Sequence, residues 1–339
     1  WVEKSEWAEG GTTMDFGQIL NNTLSQILSP TTFGFALAAI GLSIHFGFAG
    51  LLNMGVAGFM AVGAYGFAIS ILTFGLPWWL AALVGFVLAA VFALILGIPT
   101  LRLRGDYLAI VTIAAAEVVR LLFLSTAYKD VTGSADGLFG FQAEFRAANP
   151  LPQGTYGFGP WTYTSDQWWV IIIGVALTAV AVLFTWSLMR SPWGRVIKGI
   201  REDEDAVRSL GKNVFSFKMQ ALVIGGVIIA AGGIVTAMGT NVNPNVYVTS
   251  QTFFIWTALL LGGAATIFGP VLGAVLFWVV RAFLSNLLPA LVDAGLLPFL
   301  SREQAQQSVF VLIGVALMLL IIFRPQGILG NKKELSFVR

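Results

Sequence analysis

Few side chains in this 339-residue sequence are equipped for chemistry, and several of them sit inside apolar runs. Glu117 and Arg120 lie three residues apart in IAAAEVVRLLF. At that spacing on a helix a carboxylate and a guanidinium share one face and can neutralise each other. A lone charge at the centre of a membrane helix costs about 2.5–3.5 kcal/mol on insertion scales. The pair therefore reads as a structural ion pair facing a helix bundle, or as part of a solute path or gate. His45 and Asn53 flank the glycine-rich stretch HFGFAGLLNMG, which ends at Gly55. His45 is either a hydrogen-bonded interior residue or, with Asn53 and unwound backbone at Gly55, a wall of such a path. Gly262 and Gly263 interrupt a later apolar run, TFFIWTALLLGG, and join the same candidate set. Interruptions of this kind in both halves of a chain point to transport paths. Each glycine also has a plainer use, since small residues let membrane helices approach closely.

Other chemistries lack their residues. There is no cysteine, which removes disulfides, thiolate catalysis and thiolate metal ligation. One histidine makes no metal cluster. No G-x-x-x-x-G-K-[ST] phosphate loop occurs, and no di-Asp motif falls within the apolar runs. A net charge of +2 without a long Lys/Arg tract gives no nucleic-acid footprint.

The second polar setting is SPWGRVIKGIREDEDAVRSLGKN, residues 191–213. Arg201 leads into Glu202, Asp203, Glu204 and Asp205; Ala206 and Arg208 follow, then Gly211. Acids at a helix N-terminus and a glycine just past its end complement the macrodipole and the left-handed C-terminal cap. The spacing predicts a short surface helix over 199–211.

The elements that must position these groups are membrane helices. Hydrophobic residues make up 57% of the sequence and charged ones 11%, against about 25% charged in a typical soluble domain. In lipid every backbone polar group must be paired internally, so only helices or closed barrels can span, and long apolar runs select helices. The expected fold is an all-α integral membrane protein, a polytopic bundle of about 8–10 transmembrane helices with broken or re-entrant segments. Spans are read at 32–52, 54–74, 78–98, 107–126, 168–189, 218–239, 270–288 and 307–323. The apolar segment 252–262 is short of the about 20 residues a crossing needs and reads as a half-crossing. Residues 14–29 have an amphipathic pattern that suits an interfacial helix or a tilted crossing. Arg102 and Arg104, the basic residues between Arg190 and Lys218, and Arg324, Lys332, Lys333 and Arg339 fall on one side, which the positive-inside rule makes cytoplasmic. Residues 127–166 and 240–251 then face outward, with Trp78, Trp79, Trp161, Trp168 and Trp169 near the outer helix ends. Asn241, Asn243 and Asn245 around Pro244 read as loop-turn residues. Residues 1–13 read as an N-terminal extension or remnant, 14–330 as one transmembrane domain and 331–339 as a cytoplasmic tail.

DAVRSLG (205–211) resembles the EAA-type motif of ABC importer permeases, with Asp-Ala-Val in place of Glu-Ala-Ala. The wider stretch GRVIKGIREDEDAVRSLG is similar to branched-chain amino acid permeases of the LivM type. So are GFAGLLNMGVAGFMAVGAY (47–65), LRLRGDYLAIVTIAAAEVVRLL (101–122), DVTGSADGL (130–138), LLGGAATIFGPVLGA (260–274) and RPQGILG (324–330). The blocks follow the family's order from about residue 30 to 330. NMG at 53–55 replaces a more usual Ser-Leu-Gly-type triplet. The resemblance implies a multi-pass subunit of the bacterial plasma (inner) membrane with a cytoplasmic C-terminus. It implies a second, LivH-like permease subunit as heterodimer partner and an extracytoplasmic substrate-binding protein docked on part of 127–166. It also implies cytoplasmic ATP-binding subunits that grip a coupling loop, 190–217, and carry the ATP and magnesium, with no cofactor in this chain. The solute would be a branched-chain or other apolar amino acid; related permeases carry urea or short amides. An ion-coupled secondary transporter is the competing reading, although few titratable groups lie along the spans. An intramembrane enzyme ranks below both.

Overall fold

The computed structural model describes residues 16–102, 105–298, 300–324 and 326–330. The expected extension at 1–13, the tail at 331–339 and Arg104 lie outside the described residues. The chain opens with α1 (Phe16–Ser25) and a 3₁₀ turn, then α2 (Pro30–Leu42), which runs into a π-helical turn at Ser43–Phe48. α3 (Val56–Phe74), α4 (Trp78–Thr100) and α5 (Gly105–Leu124) follow. Next come two short helices, α6 (Lys129–Thr132) and α7 (Ala143–Ala147), and a small hairpin of β1 (Thr155–Tyr156) with β2 (Tyr163–Thr164). The second half holds α8 (Ser165–Arg190), α9 (Pro192–Glu202), α10 (Glu204–Ser209), α11 (Val214–Gly239), α12 (Thr249–Gly262), α13 (Gly269–Asp293) and α14 (Arg302–Phe323).

Among the described residues, 8 helices are long and apolar enough to cross a membrane, in the places the sequence predicts. Capping explains several of their ends. Ser29 accepts from the Thr32 amide above Pro30, and Thr164 and Ser301 each form a capping box, with Gln167 and Gln304. α12 has 14 residues, which at 1.5 Å per residue span about 21 Å, well short of the about 30 Å hydrocarbon core. It is followed, after 263–268, by α13, and its length is that of the expected half-crossing.

The core is α2, α3 and α11, whose residues are buried nearly all round. With no hydrophobic force between helices in lipid, close approach of small residues holds them. A Cβ on Gly41 would lie 2.7 Å from Ile229 Cγ1, and one on Gly63 would lie 2.7 Å from the Ala230 Cβ. Around this core, α4, α5, α8 and α14 turn apolar side chains outward, among them Val87, Ile95, Ile110, Val180, Leu183, Val311 and Ile322.

Two further segments pack onto this core. Residues 127–166 are anchored to it at several points. Phe141 and Phe145 are fully buried, Leu138 pairs with Val242 as an isolated bridge, and Gln142 Nε2 donates to the carbonyls of Ala237 and Thr240. Irregular backbone hides helical periodicity, so composition alone cannot show such packing. Residues 240–251 also pack inward: Val242, Pro244 and Tyr247 are buried, and the Tyr247 ring lies 6.4 Å from that of Tyr65 on α3. The expected helix at 14–29 is α1 plus its 3₁₀ turn. It buries Ile19 and Thr23, leaves Phe16 and Leu20 exposed, and meets α13 through a hydrogen bond from Asn22 to Asn286 of 3.4 Å.

Candidate functional site

The predicted site residues fall into three groups. The first surrounds the π turn. His45 and Asn53 are both fully buried. Asn53 Oδ1 accepts from the Gly55 amide at 2.8 Å, which turns its Nδ2 to donate to His45 Nδ1 at 3.0 Å. His45 Nε2 lies 3.0 Å from the Leu222 carbonyl, which can only accept, so the pattern is met by the neutral Nε2–H tautomer. The Asn53 carbonyl accepts from Trp256 Nε1 at 3.2 Å, and the Ala57 amide donates to Thr252 Oγ1 at 3.0 Å. His45, Asn53 and Gly55 thus come together. They form one hydrogen-bonded knot joining the end of α2, the start of α3, α11 and α12. Gly225 leaves room for the imidazole. A π turn supplies the break, since its wider ring frees local backbone groups to bond elsewhere.

The second group is the charged loop between α8 and α11. The single helix expected over 199–211 is two. Asp203 ends α9, takes extended backbone and caps α10 by accepting from the Ala206 amide at 2.9 Å. Arg201 and Glu202 therefore belong to α9. An acidic residue that can also be an N-cap divides a charged run that looks continuous on paper. α9 is anchored: Ile197 and Ile200 are buried, and the Arg201 guanidinium donates to the Gly47 carbonyl in the π turn. α10 buries no residue. Arg208 bonds Asp205 and Glu204, each at 2.8 Å, and Glu204 also pairs with Lys218. Gly211 has φ +74°, the left-handed conformation its C-terminal position requires. Leu210, absent from the sequence-derived set, stands 78% exposed beside it. A bulky apolar residue next to a helix-ending glycine was the signal for it. Between α10 and the α4–α5 turn lies a cleft of about 480 Å³ that includes Gly50, Arg102, Glu204 and Arg208.

Gly262 and Gly263 connect to this group. Gly263 has φ +115° and ends α12. The Ile328 and Leu329 amides donate to the carbonyls of Leu261 and Gly262, each at 3.0 Å. The RPQGILG stretch thereby caps the carbonyl end of α12, which within a bilayer would otherwise lack partners. A Cβ on Gly47 would lie 3.0 Å from the Ala265 Cα. α9, the π turn and the α12–α13 turn accordingly meet at one place.

The third group is Glu117 and Arg120. Arg120 Nε donates to the two Glu117 carboxylate oxygens at 2.9 and 3.1 Å. The pair forms as predicted but does not turn into the bundle: the Glu117 side chain is 39% exposed and that of Arg120 16%. α5 buries Leu108, Thr112 and Ala116 against its neighbours, which leaves the next residue, 100° further round, on the open side. A further mid-helix cation escaped the sequence reading. Arg281 of α13 lies over the Trp278 ring, 4.8 Å from its centroid, with no carboxylate within ion-pair distance among the described residues.

This architecture is a polytopic helical membrane bundle with one short apolar helix, α12, and a charged loop carrying α9 and α10. The chain belongs to the family described as "Branched-chain amino acid transport system / permease component", whose model matches residues 27–322. It is 32% identical over 314 residues to the high-affinity branched-chain amino acid transport system permease protein LivM of Escherichia coli, covering 89% of this chain and 69% of that protein. It is 28% identical over 255 residues to the probable branched-chain amino acid transport permease protein LivM of Methanocaldococcus jannaschii, covering 75% and 67%. The nucleoside ABC transporter permease protein NupC of Lactococcus lactis subsp. cremoris is more distant, at 25% over 235 residues. The family is one of permeases, not of catalytic enzymes.

Proposed function

We propose that this chain is one of two permease subunits of an ATP-driven importer that carries branched-chain or other apolar amino acids into the cytoplasm. ATP would be hydrolysed on separate cytoplasmic subunits, and the solute delivered by an extracytoplasmic binding protein. The observation that carries this reading is the bond from Arg201 to the Gly47 carbonyl. It ties an outstanding, capped helix pair to the π turn of a core helix. A push on α10 would pass through α9 to the π turn and to the adjoining α12–α13 turn, the two places where the helical ladder is broken. Pieces of packed helix have discrete arrangements, so such a displacement favours a switch between inward-open and outward-open states over a smooth deformation. In this reading Leu210 and the α10 carboxylates are the surface the ATPase grips. The knot at His45 and Asn53 is a positioning element, enclosed away from the solute.

The test is reconstitution with partner subunits and binding protein in liposomes, measuring ATP hydrolysis and uptake of labelled leucine, isoleucine, valine, phenylalanine and urea. The importer reading expects ATP-dependent uptake of the apolar amino acids. Asp205→Lys and Gly211→Pro should leave insertion intact, because both sites lie outside the spans, but cut the solute moved per ATP severalfold. Proline cannot adopt the positive φ of Gly211. Wild-type coupling in both variants would remove the docking role from α10.

A further inference from the structure

The Glu117–Arg120 pair sits on an open helix face that ordinary packing does not explain. Tyr107, Ile110, Val118 and Leu121 are each more than half exposed on α5 and, with Glu117, form one stripe at helical spacing. α4, α8 and α14 expose similar apolar stripes, yet among their described residues every Asp, Glu, Lys and Arg lies within the first or last turn. Those three faces can rest in lipid. A partly exposed carboxylate in the middle of α5 is less suited to it, because Arg120 satisfies only part of its hydrogen-bonding capacity and hydrocarbon offers nothing to the open side. The α5 stripe is therefore better placed against water or protein.

We infer that Glu117 and Arg120 form a way-station for the charged backbone of an amino-acid solute: Arg120 takes the carboxylate and Glu117 the ammonium group as the solute passes along α5. This rests on the importer reading above and specifies its substrate class as zwitterions. The two groups have the required complement. Arg120 uses Nε and Nη2 to hold Glu117, and a guanidinium carries five N–H donors, so donors remain for a second carboxylate. Glu117 has lone-pair capacity on its more exposed side. A zwitterion brings one opposite charge for each member, so net charge in the site stays zero with or without solute, and no proton has to move. In the empty state the pair neutralises itself across i, i+3, which avoids stranding a charge. The apolar stripe around the pair suits an apolar side chain carried alongside the charges.

Thiol accessibility in the reconstituted transporter tests the site directly, since the chain has no cysteine of its own. Ala114→Cys and Leu121→Cys flank Glu117 by three and four residues, and Val180→Cys on α8 is a control of comparable exposure. The first two should react with a charged, membrane-impermeant thiol reagent and the control should not. Millimolar leucine should slow the Ala114→Cys reaction at least fivefold, and 4-methylpentanamide, which is uncharged, should not. Adding Glu117→Gln with Arg120→Gln should abolish that protection and lower leucine uptake at least tenfold. The inference is overturned if Ala114→Cys is as inert as the control, if leucine gives no protection, or if the double glutamine variant takes up leucine at the wild-type rate. The cysteine measurements decide the matter even where the double variant assembles poorly. Absence of ATP-dependent amino-acid uptake by the wild-type complex would instead overturn the importer reading itself.

Discussion

The polar groups at His45–Asn53 and at Glu117–Arg120 occupy the same apolar surroundings and are satisfied in opposite ways. His45 and Asn53 are fully buried, and their bonds, that of the Asn53 backbone carbonyl included, tie the α2–α3 break to α11 and α12, far along the chain. Among the described residues, Glu117 and Arg120 bond only each other within one helix turn and stay partly open. A network shared among elements fixes their relative positions, because no member can move without losing partners. A pair confined to one turn fixes nothing beyond itself and keeps its outer donors and acceptors for something that arrives. The contrast teaches that a polar residue in a membrane protein is read by where its partners come from, more than by its own type.

That comparison can be broken most directly at Asn53. Asn53→Leu strands His45 Nδ1 and the Gly55 amide, and each buried group left without a partner costs about 1–3 kcal/mol. The expected result is a large fall in Tm in detergent and poor recovery of the complex. An unchanged Tm would show that the knot does not hold the core. Arg120→Leu should follow, since it leaves Glu117 alone. The cost should stay below the about 2.5–3.5 kcal/mol of a charge wholly in hydrocarbon, because Glu117 is partly open. If Arg120→Leu is as stable as the wild type, water reaches Glu117 more freely than its half-exposed position indicates. The α10 substitutions come last in stability. Arg208→Ala removes exposed ion pairs worth about 0–1 kcal/mol, and Leu210→Ala removes an exposed side chain. Both should leave Tm within a degree or two. Leu210→Ala should nevertheless lower uptake per ATP, measured in proteoliposomes, if the ATPase grips that side chain.

The sequence by itself determined that the chain is a helical membrane protein, and it placed the eight spans within a few residues. Twenty apolar residues in a row have one stable solution in lipid, whatever surrounds them. It also determined the ion pair, since i, i+3 spacing on a helix brings Glu117 to Arg120 without help from the fold. Tertiary structure alone decided which way that pair points, because rotation about the helix axis is set by the neighbours of Thr112 and Ala116, not by α5. It alone decided that Arg201 reaches Gly47 across the fold and that residues 326–330 return to cap α12. Each of those depends on a backbone carbonyl or amide left unpaired by a break in a helix, and the sequence does not show where its partner will come from until the elements have packed.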